Sequence, residues 1–116
     1  MIGRISAAAA ALAISAGPAL SAEPWIGRWS IDPAGCDRYG DTASTSPLIV
    51  TDTALRWLAN VCRVGKIYKI GQDAHIEAHC WGDGKSGTVP ISLKPRGDKL
   101  TVIWANASAG EMRRCK

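Results

Sequence analysis

The sequence contains no phenylalanine, only two tyrosines, two methionines and two histidines, and no Cys-x-x-Cys pair. Without Phe, any core must be filled by aliphatic residues and by the five tryptophans, each burying about 150 to 250 Å². The missing Cys-x-x-Cys argues against a zinc ribbon or a thioredoxin-like redox motif. Ser86 sits in Gly84-Lys85-Ser86-Gly87, which is not the G-x-S-x-G of a nucleophile elbow. The thirteen basic residues after Arg4 are dispersed and do not interleave with aromatics, so nothing marks a nucleic-acid surface. At 116 residues the chain is too short for a two-domain enzyme or a doubly wound nucleotide-binding fold.

The amino-terminal segment has the features of an export signal. Arg4 precedes an uncharged, small and apolar run from Ile5 to Ala16, and Gly17-Pro18 then breaks it before Ala19-Leu20-Ser21-Ala22. The run is too short to span a hydrocarbon core of about 30 Å, so cleavage near Ala22 is expected, with no stable membrane insertion. Residues 1–22 are read as signal and 23–116 as one domain. The remaining 116 − 22 = 94 residues carry 14 − 1 = 13 positive and 10 negative charges, a net of +3. A domain of this size buries only roughly 60 to 65% of its unfolded surface, so covalent staples would help it. Cys36, Cys62, Cys80 and Cys115 all lie in this part, and an even count in a small exported domain reads as a disulfide framework.

The patterning is that of short strands. Residues 25–31 form the first. A loop rich in Asp, Gly, Ser and Thr covers 32–46 and holds Cys36. Leu48–Thr51 is a second strand. Leu55, Trp57, Ala59 and Val61 alternate, although the same stretch can be drawn as a helical stripe. Lys66–Ile70 and Ala74–Trp81 flank a turn at Gly71. Gly82–Gly87 is a turn cluster, and Val89, Ile91 and Leu93 alternate around Pro90, which suggests an edge or a bulge. Leu100, Val102 and Trp104 follow the turn at Pro95–Asp98. Asn106–Gly110 reads as a turn, and 111–115 as the last strand. The expected fold is all-β: a small antiparallel meander of about seven or eight strands, a closed or partly open barrel. In that meander, pairing Lys66–Ile70 with Ala74–Trp81 brings Cys62 near Cys80 and leaves Cys36 for Cys115.

Gly27-Arg28-Trp29, together with Arg113-Arg114 near the end, resembles the G-x-W and C-terminal Arg of calycin-type barrels, among them lipocalins and the small bacterial inhibitors of metalloproteases. The resemblance implies a plug of Gly27, Trp29 and Arg114, with the Arg covering the Trp at the closed end. The whole domain also resembles a group of small exported alphaproteobacterial proteins of unknown function. The matching segments are Trp25 to Trp29, Asp32-Pro33-Ala34-Gly35-Cys36, Cys62, Cys80-Trp81-Gly82, Gly97-Asp98-Lys99-Leu100-Thr101 and Arg114-Cys115. That likeness brings no activity with it.

Few residues suggest chemistry. His75, Glu77 and His79 would share one strand face. Residues two apart lie about 6.7 Å from one another and residues four apart about 13 Å, so at most two could hold one metal ion. The plainer reading is a polar outer stripe. Trp29, Trp57 and Trp104 fit core positions, whereas Trp25 and Trp81 flank turns or the terminus and are candidate contacts, with Lys85 and Ser86 on the turn beside Trp81. No cofactor and no catalytic residue is indicated. The expectation is a monomeric, non-enzymatic, periplasmic or secreted binding module. Its partner would be an envelope protein, with inhibition of an exported hydrolase as one form of that function. Such a module would present residues 37–46 and the Gly82–Gly87 turn. Carriage of a lipid, sugar or metal in a lipocalin-like barrel is the alternative.

Overall fold

The computed structural model describes residues 23–38 and 42–116. The expected export signal, residues 1–22, lies outside the described residues. Eight antiparallel strands run in sequence order and close into a barrel: β1 (Gly27–Ser30), β2 (Leu48–Val50), β3 (Ala54–Trp57), β4 (Asn60–Ile70), β5 (Asp73–Gly82), β6 (Lys85–Arg96), β7 (Lys99–Trp104) and β8 (Ala107–Arg114). Closure comes from β1 against β8, with Trp29 opposite Arg114 and Ser30 opposite Arg113.

The period-2 patterning explains which side chains point inward. On β5, Ala74, Ile76, Ala78 and Cys80 are buried, while Glu77, His79 and Trp81 on the other face are exposed. Ile91 and Leu93 of β6, Leu100 and Val102 of β7 and Met112 of β8 continue the interior, and Trp29, Leu48, Leu55 and Trp57 fill it from the short strands. Trp104 is only half-buried, its ring 5.4 Å from that of Trp57.

Both expected disulfides are formed. Cys62 and Cys80 are direct cross-strand partners on β4 and β5 and are both buried, with Cα atoms 4.0 Å apart. Cys36–Cys115 links the β1–β2 connection to the chain end, 79 residues away. That connection carries two 3-10 turns, Pro33–Asp37 and Ala43–Thr45. The first packs beside β1, where Arg28 donates to the Cys36 carbonyl and the Ser30 hydroxyl to the Asp32 carbonyl at 2.6 Å.

The boundaries differ from the sequence reading at five places, one of them the turn at Pro95–Asp98, where Pro95 and Arg96 already belong to β6 and only Gly97 and Asp98 turn the chain. Residues 25 and 26 belong to a turn before β1, not to the strand. Residues 55–61 are neither one strand nor a helix: Leu58, at φ 56°, turns β3 into β4. The Gly82–Gly87 cluster contributes only Asp83 and Gly84 to a turn, and Lys85–Gly87 already belong to β6. The same holds at Asn106–Gly110. Ala105 and Asn106, with φ 55° and 67°, make the whole turn, as a two-residue hairpin needs. Strand β8 therefore begins at Ala107. Small polar residues disguise strands here because pairing, not propensity, decides them.

Pro90 sits where β6 runs past β7. The last β6–β7 pair is Ile91 with Trp104, and the Pro90 carbonyl accepts from Ala105 N–H at 2.8 Å. At the opposite end of the ribbon, β4 runs past β3. Strand β3 pairs only with Asn60–Arg63, and the Val64 N–H still reaches Thr53 O at 2.9 Å. A bulge at Gly65 follows, where an added Cβ would come 2.7 Å from the Glu77 carbonyl. Among the described residues, no strand pairs with the outer side of the stretch from Gly65 to Ile70.

Candidate functional site

The sequence-level candidates fall into two places at different ends of the barrel. Gly27, Trp29 and Arg114 form a plug where the chain enters. The Arg114 guanidinium lies 4.2 Å over the Trp29 ring and donates to the carbonyls of Ile26 and Pro24, both at 2.9 Å. The Trp29 indole donates to Trp25 O at 3.0 Å. Gly27 has φ 146°, and a Cβ there would sit 2.5 Å from Arg114 Nη1, so glycine is what lets the guanidinium pass.

Trp25 was expected as an exposed contact. It is 3% exposed and belongs to this plug. Lys69 of β4 holds it from the side, with Nζ 5.9 Å from the ring centroid while bonding the Glu23 carboxylate. The segment 23–26 folds under the barrel because Arg114 and Trp29 offer donors to its carbonyls.

Trp81 is the other centre. It is 44% exposed on the outer face of β5 and pairs across the ladder with Val61, 49% exposed. His79 meets its edge at 4.7 Å, and the Arg63 guanidinium lies 5.9 Å over it. Two depressions flank the ring. The larger, about 670 Å³, runs toward β3 past Val61, Arg63, Gly65, Ile67 and Thr53. The smaller, about 240 Å³, is lined by Trp81, Gly82, Gly84, Lys85 and Ser86. The fold thus brings Trp81, Lys85 and Ser86 together and sets Trp25 apart.

His75, Glu77 and His79 share the outer face of β5 as a stripe. His75 Nδ1 bonds the Ser92 hydroxyl at 3.0 Å, and Glu77 stands opposite Lys66 and Pro90. Among the described residues, no group of three or more His, Cys, Asp or Glu side chains is placed to hold a metal ion.

Sequence reasoning missed Val61, Ile67, Tyr68 and Ile70 as surface residues. All are exposed, Tyr68 at 52% and Ile70 at 65%. Their signal was faint: a strand that alternates Lys with apolar residues looks half-buried until one knows that its neighbour strand stops short.

The Asp73–Arg96 pair, 2.8 Å apart, pins the start of β5 to the end of β6. The hydrogen bond from Arg96 holds the Asp73 carboxyl below its ordinary value. Its contribution is therefore complete above the unfolded pKa of about 3.9 and disappears as pH falls through the lower folded value. Melting curves of Asp73→Asn should fall below wild type at neutral pH. The two should converge under acid conditions.

The disulfides point to an oxidising environment. No helix among the described residues is long and apolar enough to cross a membrane. Comparison with protein-family models, with characterised proteins and with solved structures finds no match to this chain.

Proposed function

We propose that the protein is a periplasmic or secreted binding module, not an enzyme, and that it recognises an envelope protein through the Trp81 face. The observation that carries this reading is the exposed Trp81–Val61 pair with a groove on either side of the ring. A rigid, amphipathic aromatic ringed by Arg63, His79, Lys85 and Ser86 is the usual make-up of a binding hot spot, and contiguous exposed apolar surface in a small domain points the same way. The barrel holds this face rigidly through two disulfides, which lowers the ordering cost of binding.

Inhibition of an exported hydrolase is the form we favour. The Asp83-Gly84 hairpin projects beside Trp81 and is narrow enough to enter a cleft. Carriage of a small ligand inside the barrel is disfavoured, because Trp29, Leu55, Leu93, Leu100 and Met112 are fully buried within it.

The test is photo-crosslinking in the native envelope, with a photoreactive residue placed at Lys85, at Ser86 or, as a control on β8, at Glu111. One protein adduct from the first two positions and none from the third is expected. If purified, that partner should be a hydrolase that the barrel slows. Identical adducts from all three positions, or none from any, would remove the reading. Trp81→Ala should abolish the adduct formed from Ser86 while the variant still melts cooperatively.

A further inference from the structure

From the uncovered side of β4 we infer that the partner docks by strand addition, as an extended segment that carries acidic residues among apolar ones. The inference rests on the binding-module reading and names its chemistry.

The first ground is the backbone. Cys62 and Cys80 face each other with Cα atoms only 4.0 Å apart, the narrow pair in which neither residue bonds across. Followed through the bulge at Gly65, the alternation turns the N–H and C=O of Ile67 and Lys69 away from β5, toward the side that β3 does not reach. These groups form a short template for one more strand, which would continue the row of β3 beyond Thr53.

The second ground is charge. From Asn60 to Ile70 the strand carries Arg63, Lys66 and Lys69 and no acidic residue. Across the ladder, Lys66 faces Glu77 and Ile70 faces Asp73, while Asp52 lies at the groove and Glu23 bonds Lys69. Among the described residues Lys66 has no ion pair.

Lysines on an edge discourage pairing with a second copy of the same strand and favour an acidic one. The third ground is the apolar surface on the stretch from Gly65 to Ile70: Ile67, Tyr68 and Ile70 are all exposed. The groove toward Trp81 continues from Ile67. An antiparallel segment would set acids opposite Lys66 and Lys69 and apolar residues opposite Ile67, Tyr68 and Ile70.

The probe is the peptide acetyl-Thr-Val-Glu-Val-Val-Glu-Thr-amide, added to the disulfide-intact protein while amide hydrogen exchange is followed by NMR. Exchange at Ile67 and Lys69 should slow at least 10-fold with saturating peptide. The peptide with Lys in place of Glu should slow it less than 2-fold. So should the acidic peptide N-methylated at the two residues opposite Ile67 and Lys69. Ile67→Pro, which removes an edge donor without touching the β5 ladder, should lose the effect while still melting cooperatively.

The inference is overturned if millimolar acidic peptide leaves exchange unchanged. It is overturned equally if the N-methylated peptide protects as well, or if the edge is already protected in a way that dilution abolishes, which would mean self-pairing. A silent peptide with a specific cross-link from Lys85 and Ser86 would sink strand addition alone; silence in both would sink the binding-module reading too.

Discussion

Trp29→Ala should cost about 3 to 5 kcal/mol, the range for emptying a buried aromatic site. Three losses coincide there. The ring is fully buried, so its removal leaves a cavity at the barrel floor. The Trp25 carbonyl loses the indole donor at 3.0 Å, and a buried acceptor without a partner costs about 1 to 3 kcal/mol. Arg114 loses the surface it stacks on at 4.2 Å, which loosens its grip on Pro24 and Ile26. Because small domains are stable by only about 5 to 15 kcal/mol, the variant should sit close to its unfolding threshold. Urea denaturation of the disulfide-intact protein gives the measurement: the midpoint should drop sharply with the slope retained. Trp29→Phe keeps most of the ring but not the donor, and should fall between the two. A loss below about 0.5 kcal/mol for Trp29→Ala, within the range of ordinary surface substitutions, would mean that the plug does not bear on stability.

Removing Cys36–Cys115 by a double Ser substitution should be nearly as damaging. The bridge spans 79 residues, for which loop-closure entropy gives about 4.5 kcal/mol, against about 3 kcal/mol for the 18-residue span of Cys62–Cys80. The difference should widen in practice. Cys62 and Cys80 sit on adjacent strands joined by one turn, so residual hairpin structure in the unfolded chain already brings them near each other. Nothing local brings Cys36 to Cys115. The double variants compared by urea unfolding should rank in this order, and the reverse ranking would show that native packing, not chain entropy, sets the contribution.

Much of this architecture could be read from residue types. Alternation in Ala74–Trp81 and in Leu100–Trp104 assigned faces correctly, because each strand buries one side and wets the other. The two disulfides followed from placing Lys66–Ile70 against Ala74–Trp81. What escaped was wherever backbone pairing overrode composition. Ala107–Gly110 looks like a turn and is a strand, since Ala105 and Asn106 complete the reversal in two residues. Leu58, the exception to the alternation of Leu55, Trp57, Ala59 and Val61, makes the turn between β3 and β4.

The candidate site was less legible. Trp81, Lys85 and Ser86 do meet around one depression. Trp25 is hidden, because the plug needs its ring and its carbonyl. Tyr68 and Ile70 lie on the outer face, opposite His75 and Asp73, whereas Ile67, opposite the buried Ile76, is exposed because β3 is only four residues long, a fact about strand length that the residues of β4 do not encode.

The seam between β1 and β8 sets an order of events. Every other neighbouring pair in the barrel is consecutive in sequence; most are joined by a turn of a few residues, so they can zip as soon as both strands exist, whereas closure of the seam joins chain ends and must come last. The cysteines inherit that timing. A chain delivered amino-terminus first presents Cys36, then Cys62, then Cys80, and only at the end Cys115. Oxidation in order of arrival joins Cys36 to Cys62 and Cys80 to Cys115, whereas the native pattern nests Cys62–Cys80 inside Cys36–Cys115. Where oxidation outruns the β4–β5 hairpin, the native nesting then requires thiol–disulfide reshuffling, and yield should track isomerase capacity more than the supply of oxidant.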